Sequence, residues 1–178
     1  MVNFYTYSEK EIDLENMNID DIEIRDIAHA LANINRFNGM TKVPFSVAQH
    51  SVFVAHLCRG PNEMQALLHD ASEAYLGDVT IWLKRSQYLK DYLILESYIQ
   101  NLIFEKFDCN LKLAQEVKYA DKLMVQFEAI KGFKNFQFND GYSRNITKTK
   151  RDKIGAWIPW SWQIAEVIFL DEFDRIKK

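Results

Sequence analysis

The sequence predicts an all-α domain of about six helices. Three observations carry this. Apolar residues recur at three- and four-residue spacing in segment after segment. Only six glycines and three prolines punctuate the 178 residues, and most of them fall between those segments. Apolar residues make up 48% of the chain, enough for one sizeable core at this length. A single domain over residues 1–178 is the matching expectation.

The first helix is expected from about Ile22 to Arg36, where Ile24, Ile27, Ala28, Leu31 and Ile34 share one face. Gly39 follows as a stop. Ser46-Val47-Ala48-Gln49 has the form of a capping box and opens the second helix, which ends at Arg59-Gly60-Pro61. A third helix is expected from Asn62 to Gly77, with Met64, Leu67, Leu68, Ala71 and Tyr75 as its apolar stripe. A short element around Ile81–Lys84 precedes a long amphipathic helix from about Gln87 to Phe107. Asn110 is a candidate cap for a fifth helix reaching about Ile130. Residues 131–153 are polar, basic and poorly periodic, and read as a long loop within the domain. A last helix starts near Ser161. Its Trp160, Trp162, Ile164, Val167, Ile168 and Phe173 suit a core or a subunit interface.

Composition excludes several function classes. A net charge of −3 implies no polyanionic partner such as duplex DNA, although a local cluster of cations suffices for a small anion. Cys58 and Cys109 lie far apart in no ligand-like spacing and read as reduced thiols of a cytoplasmic protein. The acidic N-terminal segment has no basic stretch followed by an apolar run, so it is not a secretory signal. No apolar run approaches the roughly 20 residues that span a bilayer.

Four residues stand out: His50, the adjacent pair His69-Asp70, and Asp121 far downstream. Two imidazoles and two carboxylates suit one divalent metal. Glu73 lies four residues after His69 and three after Asp70, so on a helix it shares their face. Taken singly, each has an ordinary reading. A lone helix histidine is usually a hydrogen-bonded or surface side chain, and His29 and His56 are read so. Asp121 differs, because Val117, Ala120, Met124 and Val125 give it an apolar setting. An acid there is costly unless paired or metal-bound.

The blocks IAHALANINRFNG, PFSVAQHSVFVA, ALLHDASEAYLGD and VKYADKLM resemble, in order, those of small HD-domain phosphohydrolases of bacteria and bacteriophages. The resemblance runs from about Ile24 to Asp121, with a weaker echo in the tryptophan-rich C-terminus. Two branches frame the substrate: 5′-deoxynucleotidases of the YfbR type and phage dATP triphosphohydrolases. The INRF and LLHDASEAYLGD blocks look closer to the phage branch. The resemblance implies a compact helical HD domain. It implies His50, His69, Asp70 and Asp121 as ligands of Mn²⁺, Co²⁺, Zn²⁺ or Fe²⁺, with Mg²⁺ as an added ion where a triphosphate is bound. It makes Glu73 the acid/base and Asp78 the residue that orients water or the sugar. Arg36 and Phe37 match an arginine–aromatic pair for phosphate and for base or sugar. Lys84 matches a phosphate-binding lysine. In the family pattern the position after NRF-x-G is often histidine; here it is Met40.

The ordinary alternatives are a helix-dipole cation for Arg36, core packing for Phe37 and a solvated surface cation for Lys84. The implied reaction is metal-assisted attack of water on the α-phosphorus of a deoxynucleoside triphosphate, dATP first, releasing deoxynucleoside and triphosphate. Lys42, Lys84, Arg85 and the loop cations Arg144, Lys148, Lys150, Arg151 and Lys153 are candidates to hold the extra phosphates. The alternatives are hydrolysis of deoxynucleoside monophosphates, and a nucleotide-binding regulatory module with little chemistry. The expected partners are a small deoxynucleotide and further copies of the chain, as a dimer or hexamer, with no nucleic acid and no membrane.

Overall fold

A computed structural model of the chain describes residues 3–134 and 158–178. It is mostly helical, as the sequence predicts, with one small antiparallel hairpin that the periodicity did not reveal. The hairpin pairs β1 (Asn3–Tyr5) with β2 (Glu11–Asp13). Asp26 ties it to the helices by accepting from Ser8 N at 2.7 Å and Ser8 Oγ at 2.8 Å.

Helix α1 (Ile24–Asn33) buries Ile27, Ala28 and Leu31, the predicted face. It ends before Arg36, the predicted last residue. The backbone turns extended at Ile34, and Asn35 bridges to Ser46. Helix α2 (Val47–Leu57) is buried from Val47 to Ala55 on every side, which makes it the central element of the core. It packs against α1 and three later helices. Ser46 caps it by accepting from Gln49 N at 3.2 Å. The capping box is not closed by Gln49. Its side chain instead donates to Ile158 O at 2.8 Å and accepts from Trp160 N at 3.0 Å, pinning the segment that leads into the last helix.

The predicted third helix is broken in two. Helix α3 covers Asn62–Leu67, a run of turns follows, and α4 covers only Glu73–Leu76. Helices α5 (Ile81–Lys84) and α6 (Lys90–Lys106) follow, the latter preceded by a 3-10 turn at Gln87–Leu89. Helix α7 spans Gln115–Gly132. Asn110 does not cap it. The Asn110 side chain closes a local turn onto Lys112 N, and Gln65 Oε1 receives Ala114 N at the helix entrance. Helix α8 (Trp162–Lys177) starts where predicted, capped by Ser161. It lies against α1, α2 and α3 through Ala165, Phe169 and Phe173. Beyond Lys134, the predicted basic loop lies outside the described residues, together with Arg144, Lys148, Lys150, Arg151 and Lys153.

Candidate metal centre

Three separate parts of the chain bring His50 (α2), His69 and Asp70 (the break between α3 and α4) and Asp121 (α7) to one point. His50 Nε2 lies 3.3 Å from His69 Nε2, 3.3 Å from Asp121 Oδ1 and 3.7 Å from Asp70 Oδ2. His69 Nε2 lies 3.2 Å from Asp70 Oδ2 and 3.8 Å from Asp121 Oδ1. The ligand atoms of His50, His69 and Asp121 all fall within 4.8 Å of one another, a spacing that could hold a metal ion.

The outer ring nitrogens decide what these atoms can do. His69 Nδ1 is 2.7 Å from the Ala66 carbonyl, which only accepts, so Nδ1 carries a hydrogen and donates it. His50 Nδ1 is 2.6 Å from Glu128 Oε1 and donates to that carboxylate. Each ring, when neutral, therefore aims an Nε2 lone pair inward, beside two carboxylate oxygens. Four acceptors facing one another repel unless a cation sits among them. The donor set thus could hold a metal ion. Protons compete for the same place. Burial and Arg36 work against a charged His50, yet Glu128 and Asp121 raise its pKa. Burial opposes a charged His69 too, but Asp70 and Asp121 lift it well above the usual histidine range. Asp70 and Asp121 are held low despite burial by the same two histidines.

Arg36 reaches this centre from the α1–α2 connection. It is buried, donates through Nε to Glu128 Oε2 at 2.9 Å and through Nη1 to Asp70 Oδ2 at 3.3 Å. The turn that aims it is unusual: Phe37, Asn38 and Gly39 have φ of 55°, 51° and 68°. Left-handed backbone at a bulky residue such as Phe37 costs on the order of 1–3 kcal/mol. Phe37 itself packs edge-on against Phe133 with ring centroids 5.6 Å apart, and the Arg36 guanidinium lies 5.9 Å from its ring centre.

A cavity of about 250 Å³ opens beside the centre, lined among others by His69, Asp70, Glu73, Lys84, Glu96 and Gln100. Glu73 opens α4 and is buried there. Burial, then Asp70 and Asp78, raise its pKa well above the usual carboxyl range, which favours the protonated form of Glu73. Its Oε2 has no hydrogen-bond partner among the described residues. Asp78 follows Gly77, whose φ of 80° ends α4, and burial raises this carboxyl too, against the pull of Arg36. Lys84 is not a free surface cation. Its Nζ sits 2.7 Å from Glu96 Oε1 and 3.5 Å from Glu73 Oε1.

All nine predicted site residues thus cluster on or around one centre, with Phe37 at its margin. Sequence reasoning missed Glu128, which holds both His50 and Arg36. The available signal was its position seven residues after Asp121, two helical turns along the same side of α7. It also missed Glu96 and Gln100, for which the sequence offers no comparable signal. His29 and His56 keep their ordinary reading, paired with Glu166 at 3.0 Å and Glu172 at 3.3 Å.

No protein-family model matches the sequence. The chain is 42% identical to the uncharacterized protein YfdR of Escherichia coli (strain K12) over 123 residues, 69% of this chain and 68% of YfdR. The chain belongs to the YfdR family. A second relative, an uncharacterized protein of Rhodobacter capsulatus, is 35% identical over 141 residues, 71% of each chain. Neither name assigns the YfdR family a reaction, so the chemistry rests on the centre itself.

Proposed function

We propose that the chain is a metal-dependent phosphohydrolase of the HD type that cleaves deoxynucleotides at the α-phosphorus. The observation that carries this reading is the convergence of His50, His69, Asp70 and Asp121 beside the buried Glu73 on an open cavity. A divalent ion held by those four residues would polarise a phosphoryl oxygen and acidify a water molecule. Glu73 supplies the proton that the departing 5′ oxygen needs as its bond to phosphorus breaks. Its unpartnered Oε2 leaves that proton open to a bound substrate. Asp78 orients the attacking water or the sugar. Arg36 fixes Asp70, and Lys84 offers a cation at the cavity wall.

Deoxynucleoside triphosphates, dATP first, are the substrates favoured by the sequence resemblance. A second reading, deoxynucleoside monophosphates, has its own support. Arg36 is engaged by the carboxylates of Asp70 and Glu128 and Lys84 by that of Glu96, which leaves them less charge to offer a polyphosphate. The side chains of Trp82, Ile94, Trp162, Ile164 and Val167 are exposed and support the expected homo-oligomer. No helix among the described residues is long and apolar enough to cross a membrane.

Incubation with Mn²⁺ or Co²⁺ and each dNMP and dNTP, followed by ion-exchange separation, tests the proposal. Deoxynucleoside with intact triphosphate marks the first substrate class. Deoxynucleoside and phosphate from monophosphates alone marks the second. No product from either set returns the chain to a nucleotide-binding role.

A further inference from the structure

His69 and Asp70 are adjacent, and on a regular helix neighbouring side chains diverge by roughly 100°. Yet His69 Nε2 and Asp70 Oδ2 meet at 3.2 Å. The backbone explains how. In an unbroken helix Ser72 N–H would bond Leu68 C=O, the i to i−4 pair that encloses both residues. That bond is absent. Ser72 N instead donates to Gln100 Oε1 at 3.0 Å, and Gln100 Nε2 donates to Leu68 O at 2.8 Å. One carboxamide, carried by α6, stands in the gap: it is the acceptor for the orphaned Ser72 N–H and a second donor to Leu68 C=O, which also accepts from Ala71 N at 3.0 Å. Its orientation follows from its partners: the oxygen meets a donor and the nitrogen meets an acceptor.

We infer that Gln100 is the positioning residue that holds the turn of residues 68–72 open, so that adjacent His69 and Asp70 can serve one metal ion. Its hydrogen bonds among the described residues go to the backbone of Leu68 and Ser72, not to either ligand. It acts by spreading the turn that carries them, and it delivers Glu73 to the same cavity at the start of α4. An apolar side chain of similar length would leave the buried Ser72 N–H unpaired and Leu68 C=O with the Ala71 bond alone. The segment would then relax toward the continuous helix that its apolar spacing favours. That rewinding carries His69 and Asp70 apart.

The inference rests on the metal centre, and its test reads metal rather than turnover. Co²⁺ alone is titrated into the wild-type chain and into Gln100→Met, with affinity followed by calorimetry and geometry by the visible spectrum of the bound ion. Leu102→Ala, a partly buried change on the same helix, controls for general loss of stability. The expected result is a tenfold to hundredfold weaker Co²⁺ affinity and an altered spectrum for Gln100→Met, of the order typical for groups behind metal ligands. Leu102→Ala should keep the wild-type affinity and spectrum. Wild-type affinity with an unchanged spectrum in Gln100→Met overturns the inference. Should that variant not fold, Gln100→Glu keeps the acceptor for Ser72 N–H and sets an oxygen against Leu68 C=O. Weakened affinity in Gln100→Glu supports the role, and unchanged affinity overturns it. A wild-type chain that binds Co²⁺ but hydrolyses no nucleotide overturns the phosphohydrolase reading and leaves Gln100 in place. A wild-type chain that binds no Co²⁺ overturns both.

Discussion

Glu128 accepts a hydrogen bond from His50 Nδ1 at 2.6 Å while its other oxygen accepts from Arg36 Nε at 2.9 Å. One fully buried carboxylate therefore sets the tautomer of a candidate ligand and neutralises the arginine that steadies another. This arrangement raises the basicity of the inward nitrogen, as carboxylates behind metal-bound histidines do.

Glu128→Gln should keep the shape and lose the charge. Metal affinity is expected to fall by about 10- to 100-fold, and Arg36 would be left buried with a weakened partner. That second effect should destabilise the fold by up to about 3–5 kcal/mol. Paired metal titration and urea unfolding measure both. Wild-type values in the two assays would remove Glu128 from the centre.

Glu73→Gln addresses chemistry alone. The amide retains the volume but has no proton to transfer, and Glu73 is not among the four candidate ligands. Turnover of the best deoxynucleotide should drop by about 10²- to 10⁴-fold. Metal affinity should stay within a few-fold of wild type. Full turnover in this variant would sink the acid/base assignment.

The centre should also report on stability. An ion that binds the folded centre and not the unfolded chain favours the folded state, in competition with the protons that His50 and His69 otherwise hold. At free Mn²⁺ about 100 times its dissociation constant the gain is roughly 2.7 kcal/mol. Calorimetric melting with and without Mn²⁺ reads it as a higher Tm, which chelator should reverse. His69→Ala should show no such shift, and an equal shift in both chains would place the ion elsewhere.

A separate ion cluster predicts an acid limb. Burial raises the Glu172 carboxyl, but contacts from Arg175 and His56 outweigh it and leave its pKa below the ordinary 4.5. A carboxyl lowered on folding contributes stability above its unfolded pKa and loses it as pH falls through the folded value. Arg175→Ala should therefore lag the wild type above pH 4.5 and converge with it in stronger acid. Arg175 is half exposed, so solvent screening limits the difference to about 1 kcal/mol or less. Chemical denaturation across pH 2–7 measures it; a gap of equal size at every pH would contradict the assignment.

The helical class and most helix positions were legible because burial imposes a three- to four-residue spacing that survives in the sequence. His50, His69, Asp70 and Asp121 were legible as a set. The break between α3 and α4 was not. Met64, Leu67, Leu68, Ala71 and Tyr75 keep helical spacing across it, and the group that interrupts the ladder, Gln100, comes from a distant helix. Lys84 and Arg36 were read as cations for phosphate, while their carboxylate partners Glu96 and Glu128 lie 12 and 92 residues away along the chain. Spacing rules describe one element at a time, and these contacts form between elements.

The clasp between Arg36 and Glu128 has a consequence for the order of events on the ribosome. A growing chain can complete α1, α2 and the His69-Asp70 turn long before Glu128 is synthesised. Until then Arg36 has one of its two acceptors, and His50 lacks the carboxylate that sets its outer nitrogen. The emerging N-terminal half thus has two histidines and one aspartate of the centre without their closing strut. Folding to the native arrangement waits on α7, and an ion captured earlier would meet a looser, less selective set of donors.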